Sequence, residues 1–286
     1  MARIKRRDVL SATGLTLAAA TMSGGAQPAA RAVTRGRIRQ SVSRWCYAKI
    51  PMPEFCRAVA AMGLTAIDLL EEPDWQVARD HGLVCSMGYG GGGSIPDGLN
   101  NPANHDRIVN NLIAAMPKAA ALGVPNLITF FGNRAGRSDR EAIDNCVAGL
   151  NRLKAAAESH GVTICVELLN SKVNHKDYHG ARTPFGVEVV SQVNSPRVKL
   201  LYDIYHMQIM EGDVIRTIRD HHAHIAHYHT GGVPGRHELD DTQELQWPAI
   251  CRAIADTGFK GFVAHEFVPV RDPLTSLREA VVLCDV

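Results

Sequence analysis

From Gln40 onward the chain repeats one pattern eight times: a short β-branched or apolar run, then a helical stretch, then the next run. That repetition limits the fold more than any other feature. The runs Gln40–Cys46, Thr65–Leu70, Leu83–Met87, Asn126–Phe131, Thr163–Leu168, Val198–Asp203, His224–His229 and Phe262–Phe267 read as strands. Helices are expected over Pro53–Met62, Arg107–Leu122, Ser138–His160, Pro184–Val193, Val214–Asp220, Pro248–Thr257 and Pro273–Cys284, with a short one around Asp74–His81. The third of these opens with Ser138-Asp-Arg-Glu141, a capping-box arrangement, and stops at Gly161. Eight strand–helix units with no obvious second domain predict an α/β fold of the (β/α)8 TIM-barrel type. A doubly wound sheet would need a nucleotide loop after an early strand, and neither GxGxxG nor a Walker sequence occurs.

Residues 1–32 stand apart. Lys5-Arg6-Arg7-Asp8-Val9-Leu10 leads into an Ala-rich apolar run, and small residues follow up to Ala30-Arg31-Ala32. A basic start, a short apolar stretch and an Ala-x-Ala end predict a signal peptide, with the paired arginines pointing to twin-arginine export. The apolar run carries Ser, Thr and Gly and falls short of the ~20 residues of a stable membrane span. The expected division is therefore 1–32 export signal and 33–286 barrel, with a periplasmic or secreted product.

Composition removes several classes of function. Lys and Arg total 31 against 29 Asp and Glu, a net charge of +2, so the basic excess of nucleic-acid binders is missing. The seven cysteines are scattered, without a CxxC pair, which argues against structural zinc and a disulfide framework. The glycine run Gly88–Ser94 follows the third strand and so falls on the catalytic face. No helix-starting Lys-Ser/Thr follows it, which favours a lid or plain loop over a phosphate cradle.

Catalysis in such a barrel belongs at the C-terminal ends of the strands. Glu167, Asp203 and Glu266 each close an otherwise apolar run, where an unpaired carboxylate is costly to bury. One alone could cap a helix or pair with a base. Four successive strands each ending in a ligand type make that coincidence remote. A divalent cation held by three carboxylates and one imidazole would relieve their repulsion, and an oxygen-rich set favours Mn²⁺ or Mg²⁺, with Co²⁺ admissible and zinc less suited. The imidazole stays open among His224, His227, His229 and His265. Alternation puts His227 and His229 on one face and turns His265 outward, opposite Glu266, into a structural place.

The segments Glu167-Leu-Leu-Asn170, Asp203-Ile-Tyr-His206-Met-Gln-Ile-Met-Glu-Gly-Asp213, Pro234-Gly-Arg236-His-Glu238 and His265-Glu266-Phe267 resemble the hydroxypyruvate isomerase family. That family belongs to the xylose-isomerase-like TIM barrels, related to the ketose 3-epimerases. The resemblance covers most of the chain after the leader. It implies Glu167, Asp203, His229 and Glu266 as metal ligands, Glu167 and Glu266 also as the catalytic acid/base pair, and His206 and Arg236 as substrate contacts. It implies an isomerase or epimerase acting on a sugar or hydroxy-keto acid through a metal-stabilised enediolate. Hydroxypyruvate isomerases usually have Gln where His229 stands, whereas the epimerases have His. With the export signal and the loop Asn170–Tyr178, that leaves hydroxypyruvate itself open as the substrate. The rivals are a lyase or dehydratase on oxidised sugars or glycosides, an apurinic-endonuclease-like nuclease, which near-neutral charge disfavours, and a periplasmic sugar-binding protein. The partner expected is a small molecule, with no nucleic acid; the oligomeric state, a homo-oligomer included, stays open.

Overall fold

The computed structural model describes residues 30–286; the twin-arginine segment lies outside them. Eight parallel strands form one sheet: β1 (Arg39–Val42), β2 (Ala66–Leu70), β3 (Val84–Gly88), β4 (Asn126–Phe130), β5 (Thr163–Leu168), β6 (Val198–Asp203), β7 (Ile225–Thr230) and β8 (Phe262–His265). Each pairs with its sequence neighbour, and β1 pairs with β8. Only a single bridge, Ser43 to Asp68, joins β1 to β2, so the TIM barrel is closed there by one residue pair. Around it lie α1 (Met52–Met62), α2 (Glu72–Asp80), α3 (His105–Leu122), α4 (Asp139–His160), α5 (Thr183–Val193), α6 (Ile204–Met210), α7 (Val214–His221), α8 (Trp247–Asp256) and α9 (Pro273–Cys284).

Local chemistry accounts for these elements. Ser138 caps α4 by accepting from the Glu141 N–H at 3.2 Å, and Gly161 ends it with φ 68°. On α3 the buried positions Ile108, Leu112, Ala115, Met116 and Ala119 follow the helical repeat. Each large one stabilises the fold by roughly 1.5–3 kcal/mol through burial. His265 does face outward, buried between Gln40 Oε1 (2.8 Å) and Thr230 Oγ1 (3.2 Å). Burial pushes its ring down to about 3, so it is neutral.

Three departures from the expected elements matter for the site. β1 stops at Val42 instead of running to Cys46, because the chain then turns through the 3₁₀ segment Arg44–Tyr47 and brings Trp45 over the barrel mouth. β8 stops at His265, although the Glu266 N–H still donates to Thr230 O at 3.0 Å. The apolar stretch Ile204–Met210 forms an extra helix, capped by Asp203 through the His206 N–H (3.1 Å).

The glycine run packs along β4. Thr129 Oγ1 donates to Gly92 O at 2.6 Å, and a Cβ on Gly92 would lie 2.0 Å from Ile128 O. This loop completes a seam where β3 and β4 share one register pair, Gly88 with Leu127. It is a packed loop. At the other face, the Asp285 carboxylate accepts from the N–H groups of Thr34 (2.6 Å), Arg35 (2.7 Å) and Gly36 (2.8 Å). The Ala32 and Val33 N–H groups both donate to Met62 O at the end of α1, and Ala32 is buried. The packed structure thus begins before residue 33. No described helix is long and apolar enough to cross a membrane.

Candidate active site

Glu167 ends its apolar run on β5, Asp203 closes β6, His229 lies on β7 and Glu266 follows β8. Parallel strands put these positions at one level of the barrel, and their ligand atoms all fall within 4.8 Å of one another. All four residues are buried. Three carboxylates so close demand positive charge. Arg236 supplies one: Nη2 lies 2.6 Å from Asp203 Oδ2 and 2.5 Å from Glu266 Oε2, and Nε donates to Glu266 O at 3.0 Å. His229 Nδ1 faces Glu167 Oε1 at 3.5 Å, Asp203 Oδ2 at 3.8 Å and, closer still, Glu266 Oε2, yet it has no hydrogen-bond partner of good geometry. A buried imidazole nitrogen aimed at three carboxylate oxygens is a donor set that fits a divalent ion.

The titrating groups differ by environment. Burial pushes Glu167 up to about 7, and the charge of Glu266 adds to the rise. Burial also acts on Asp203, but the Arg236 guanidinium outweighs it and holds that carboxyl well below its usual range. For Glu266 the same contest, against Arg236 and His229, ends in a lowered value. Burial depresses His206, which is therefore neutral.

Above this floor opens a cavity of ≈ 410 Å³. Polar Asn174, His175, His206 and Arg236 line it together with apolar residues that include Leu69, Ile128 and Phe130. His206 Nδ1 lies 2.6 Å from Asn170 Nδ2 and 3.2 Å from the Asn170 backbone N, so it accepts and the ring proton sits on Nε2. Nε2 then meets Arg236 Nη1 at 2.7 Å. Two donors face each other there with no acceptor between them, at the cavity wall.

All six residues singled out from the sequence thus meet in one place. Arg236 is turned inward, with its side chain 13% exposed, and pairs with Asp203 and Glu266 and not with its sequence neighbour Glu238. Glu238 instead accepts from the Val270 and Arg271 N–H groups and from Ser276. Sequence reasoning missed three groups. Trp45 donates from Nε1 to Glu266 Oε1 at 2.5 Å. Tyr205 holds Asn174 through its hydroxyl at 2.9 Å. Asp68 of β2 lies beneath His229, its Oδ2 2.9 Å from Nε2.

Residues 56–282 match the model of the xylose isomerase-like TIM barrel. The chain belongs to that family. Among family members, it is 26% identical to a human protein provisionally named hydroxypyruvate isomerase, over 82% of this chain and 80% of that one. It is also 26% identical to the 2-oxo-tetronate isomerase of Pectobacterium atrosepticum, over 78% of this chain and 88% of the relative. The solved structure of an AP endonuclease, family 2, from Brucella melitensis superposes with a TM-score of 0.74 at 22% identity, covering 84% of this chain and 97% of that one. At that identity the likeness speaks for the xylose isomerase-like barrel alone.

Proposed function

We propose that the protein is a divalent-metal-dependent isomerase or epimerase of small sugar-like carbonyl compounds, ketoses or hydroxy-keto acids. The observation that carries this reading is the convergence of Glu167 and Glu266, from β5 and β8, on one spot of the cavity floor. The names of the relatives, isomerases of hydroxypyruvate and 2-oxo-tetronate, agree with it. Glu167, Asp203, His229 and Glu266 would hold the ion, which supplies a Lewis acid that polarises substrate oxygens and offsets the charge developing when a proton leaves carbon.

The protein's own groups then divide the work. One glutamate removes the proton beside the carbonyl. Return to the neighbouring carbon gives isomerisation, whereas return from the second glutamate on the opposite face gives epimerisation. Trp45 fixes one oxygen of Glu266, so the other is aimed by geometry and not by chance rotation. The His206 Nε2–H and the Arg236 guanidinium are donors in want of an acceptor, and a substrate carbonyl or hydroxyl oxygen between them satisfies both. The apolar lining residues Leu69, Ile128 and Phe130 keep water from the reacting carbon.

The test is solvent proton exchange in D₂O with purified protein and Mn²⁺, over a panel of ketoses and 2-keto acids. Exchange at carbon beside the carbonyl is the expected result, lost in at least one of Glu167→Gln and Glu266→Gln, with partial exchange kept in the other if the reaction runs on one face. Absence of exchange across the panel, with metal bound, would refute the reading. We propose in addition that the chain is exported to the periplasm or beyond, as its Arg6-Arg7 leader suggests.

A further inference from the structure

Beneath the four-residue cluster the barrel holds a second polar layer that the proposed reaction does not use. Asp68, His227, Ser41, Ser43 and Ser86 meet there, all without solvent exposure. A lone carboxylate at that depth is costly unless its oxygens are partnered. Oδ1 of Asp68 lies 2.5 Å from Ser86 Oγ and 3.0 Å from His227 Nε2. Oδ2 lies 2.9 Å from His229 Nε2 and 3.4 Å from Ser43 Oγ.

The backbone is bent to deliver this side chain. The β2–β3 register slips on both sides of Asp68, and the next residue, Leu69, has φ 52°. A left-handed leucine is a genuine outlier, and register slips of this kind re-aim side chains near functional sites. The single bridge that closes the barrel also falls on Asp68.

We propose that Asp68 is the positioning residue of the metal centre: it accepts the Nε2 proton of His229 and so turns Nδ1 toward Glu167, Asp203 and Glu266 as the nitrogen that would donate to the ion. This rests on the metal-dependent reading above. A ligating imidazole gives a lone pair from one nitrogen and carries its proton on the other, so an acceptor below fixes both tautomer and ring orientation. Without it the ring is free to hold the proton at Nδ1 or to turn, and either removes the donor. His227 does not duplicate the role, since neither of its ring nitrogens makes a hydrogen bond of good geometry.

Calorimetric titration of Mn²⁺ into the metal-free chain tests this, with Asp68→Asn, Asp68→Ala and, as a control on the other carboxylate oxygen, Ser86→Ala. Affinity is expected to fall about 10–100-fold in Asp68→Asn and at least as far in Asp68→Ala, but within about threefold of wild type in Ser86→Ala. Thermal melting of each metal-free variant separates this loss from misfolding. In Zn²⁺-loaded wild type, ¹⁵N spectra of His229 are expected to show a protonated Nε2 and a metal-bound Nδ1, a readout that needs no variant to fold. Unchanged affinity in both Asp68 variants, an equal loss in Ser86→Ala, or an unprotonated Nε2 would each overturn the assignment while leaving the metal centre standing. A wild type that binds no divalent ion would overturn both.

Discussion

Arg236 combines two duties, neutralising the carboxylates and presenting a donor to the cavity. Its backbone lies at φ 59° and its guanidinium stacks 4.8 Å from the Tyr205 ring centroid, so the fork is held from several sides. Lysine offers a point charge on a flexible stem and cannot reach Asp203, Glu266 and His206 together. Arg236→Lys is expected to raise KM at least ~10-fold while bound metal changes little, since loss of a bidentate donor costs more than 1.4 kcal/mol. Steady-state kinetics beside elemental analysis checks this. Glu266→Gln and Asp203→Asn should part company. The first keeps a metal-binding oxygen and loses proton transfer, a kcat deficit of about 10²–10⁴ that added Mn²⁺ does not restore. The second chiefly weakens the metal. Equal kcat for Glu266→Gln and wild type at saturating Mn²⁺ would remove the acid/base role. Glu167, Asp203 and Glu266 were legible because each is a charge closing an apolar run. Asp68 bears the same mark within Ala66–Leu70, but it stands mid-run, and only the register slip turns it inward. Trp45 and Asn174 come from turns, where no periodicity announces a direction.

Elements with a strict period could be read closely, down to the Ser138 cap and the Gly161 stop of α4. What could not be read was where a strand yields to a turn. Arg44–Tyr47 and Ile204–Met210 are apolar enough to continue β1 and β6, and their fold is decided by Ser43 pairing with Asp68 and by Asp203 capping the next turn. The glycine run shows the same limit, because its conformation is set by contact with β4. A Cβ on Gly92 would strike the Ile128 carbonyl, whereas one on Gly123 meets nothing within 4 Å and suffers only from φ 74°. Gly92→Ala is expected to cost about 3 kcal/mol through overpacking and Gly123→Ala about 1–2 kcal/mol through backbone strain. Thermal melts should order them so, with a fall of roughly 2–4 °C per kcal/mol. The reverse order would mean that the β4 seam is loose.

For the molecule as a whole, the metal-dependent reading implies that stability depends on a bound ion. Chelation is expected to lower Tm and Mn²⁺ to restore it, the ion adding about 2.7 kcal/mol of stability at a hundredfold excess over Kd. Scanning calorimetry with and without chelator is the measurement, and an unmoved Tm would count against a bound ion. The leader carries a separate expectation. Arg6→Lys with Arg7→Lys should retain the protein in the cytoplasm, and fractionation showing continued export would dismiss the twin-arginine route. The hold of Asp285 on Thr34, Arg35 and Gly36 bears on this. That clasp, with Ala32 bound at the end of α1, lies where the strands begin, and the catalytic cavity lies where they end. Residue 30, the first described, therefore sits at the end of the barrel opposite the cavity. On the export reading proposed above, precursor and trimmed forms should turn over substrate alike, so that maturation would govern where the activity is deployed and not how much of it there is.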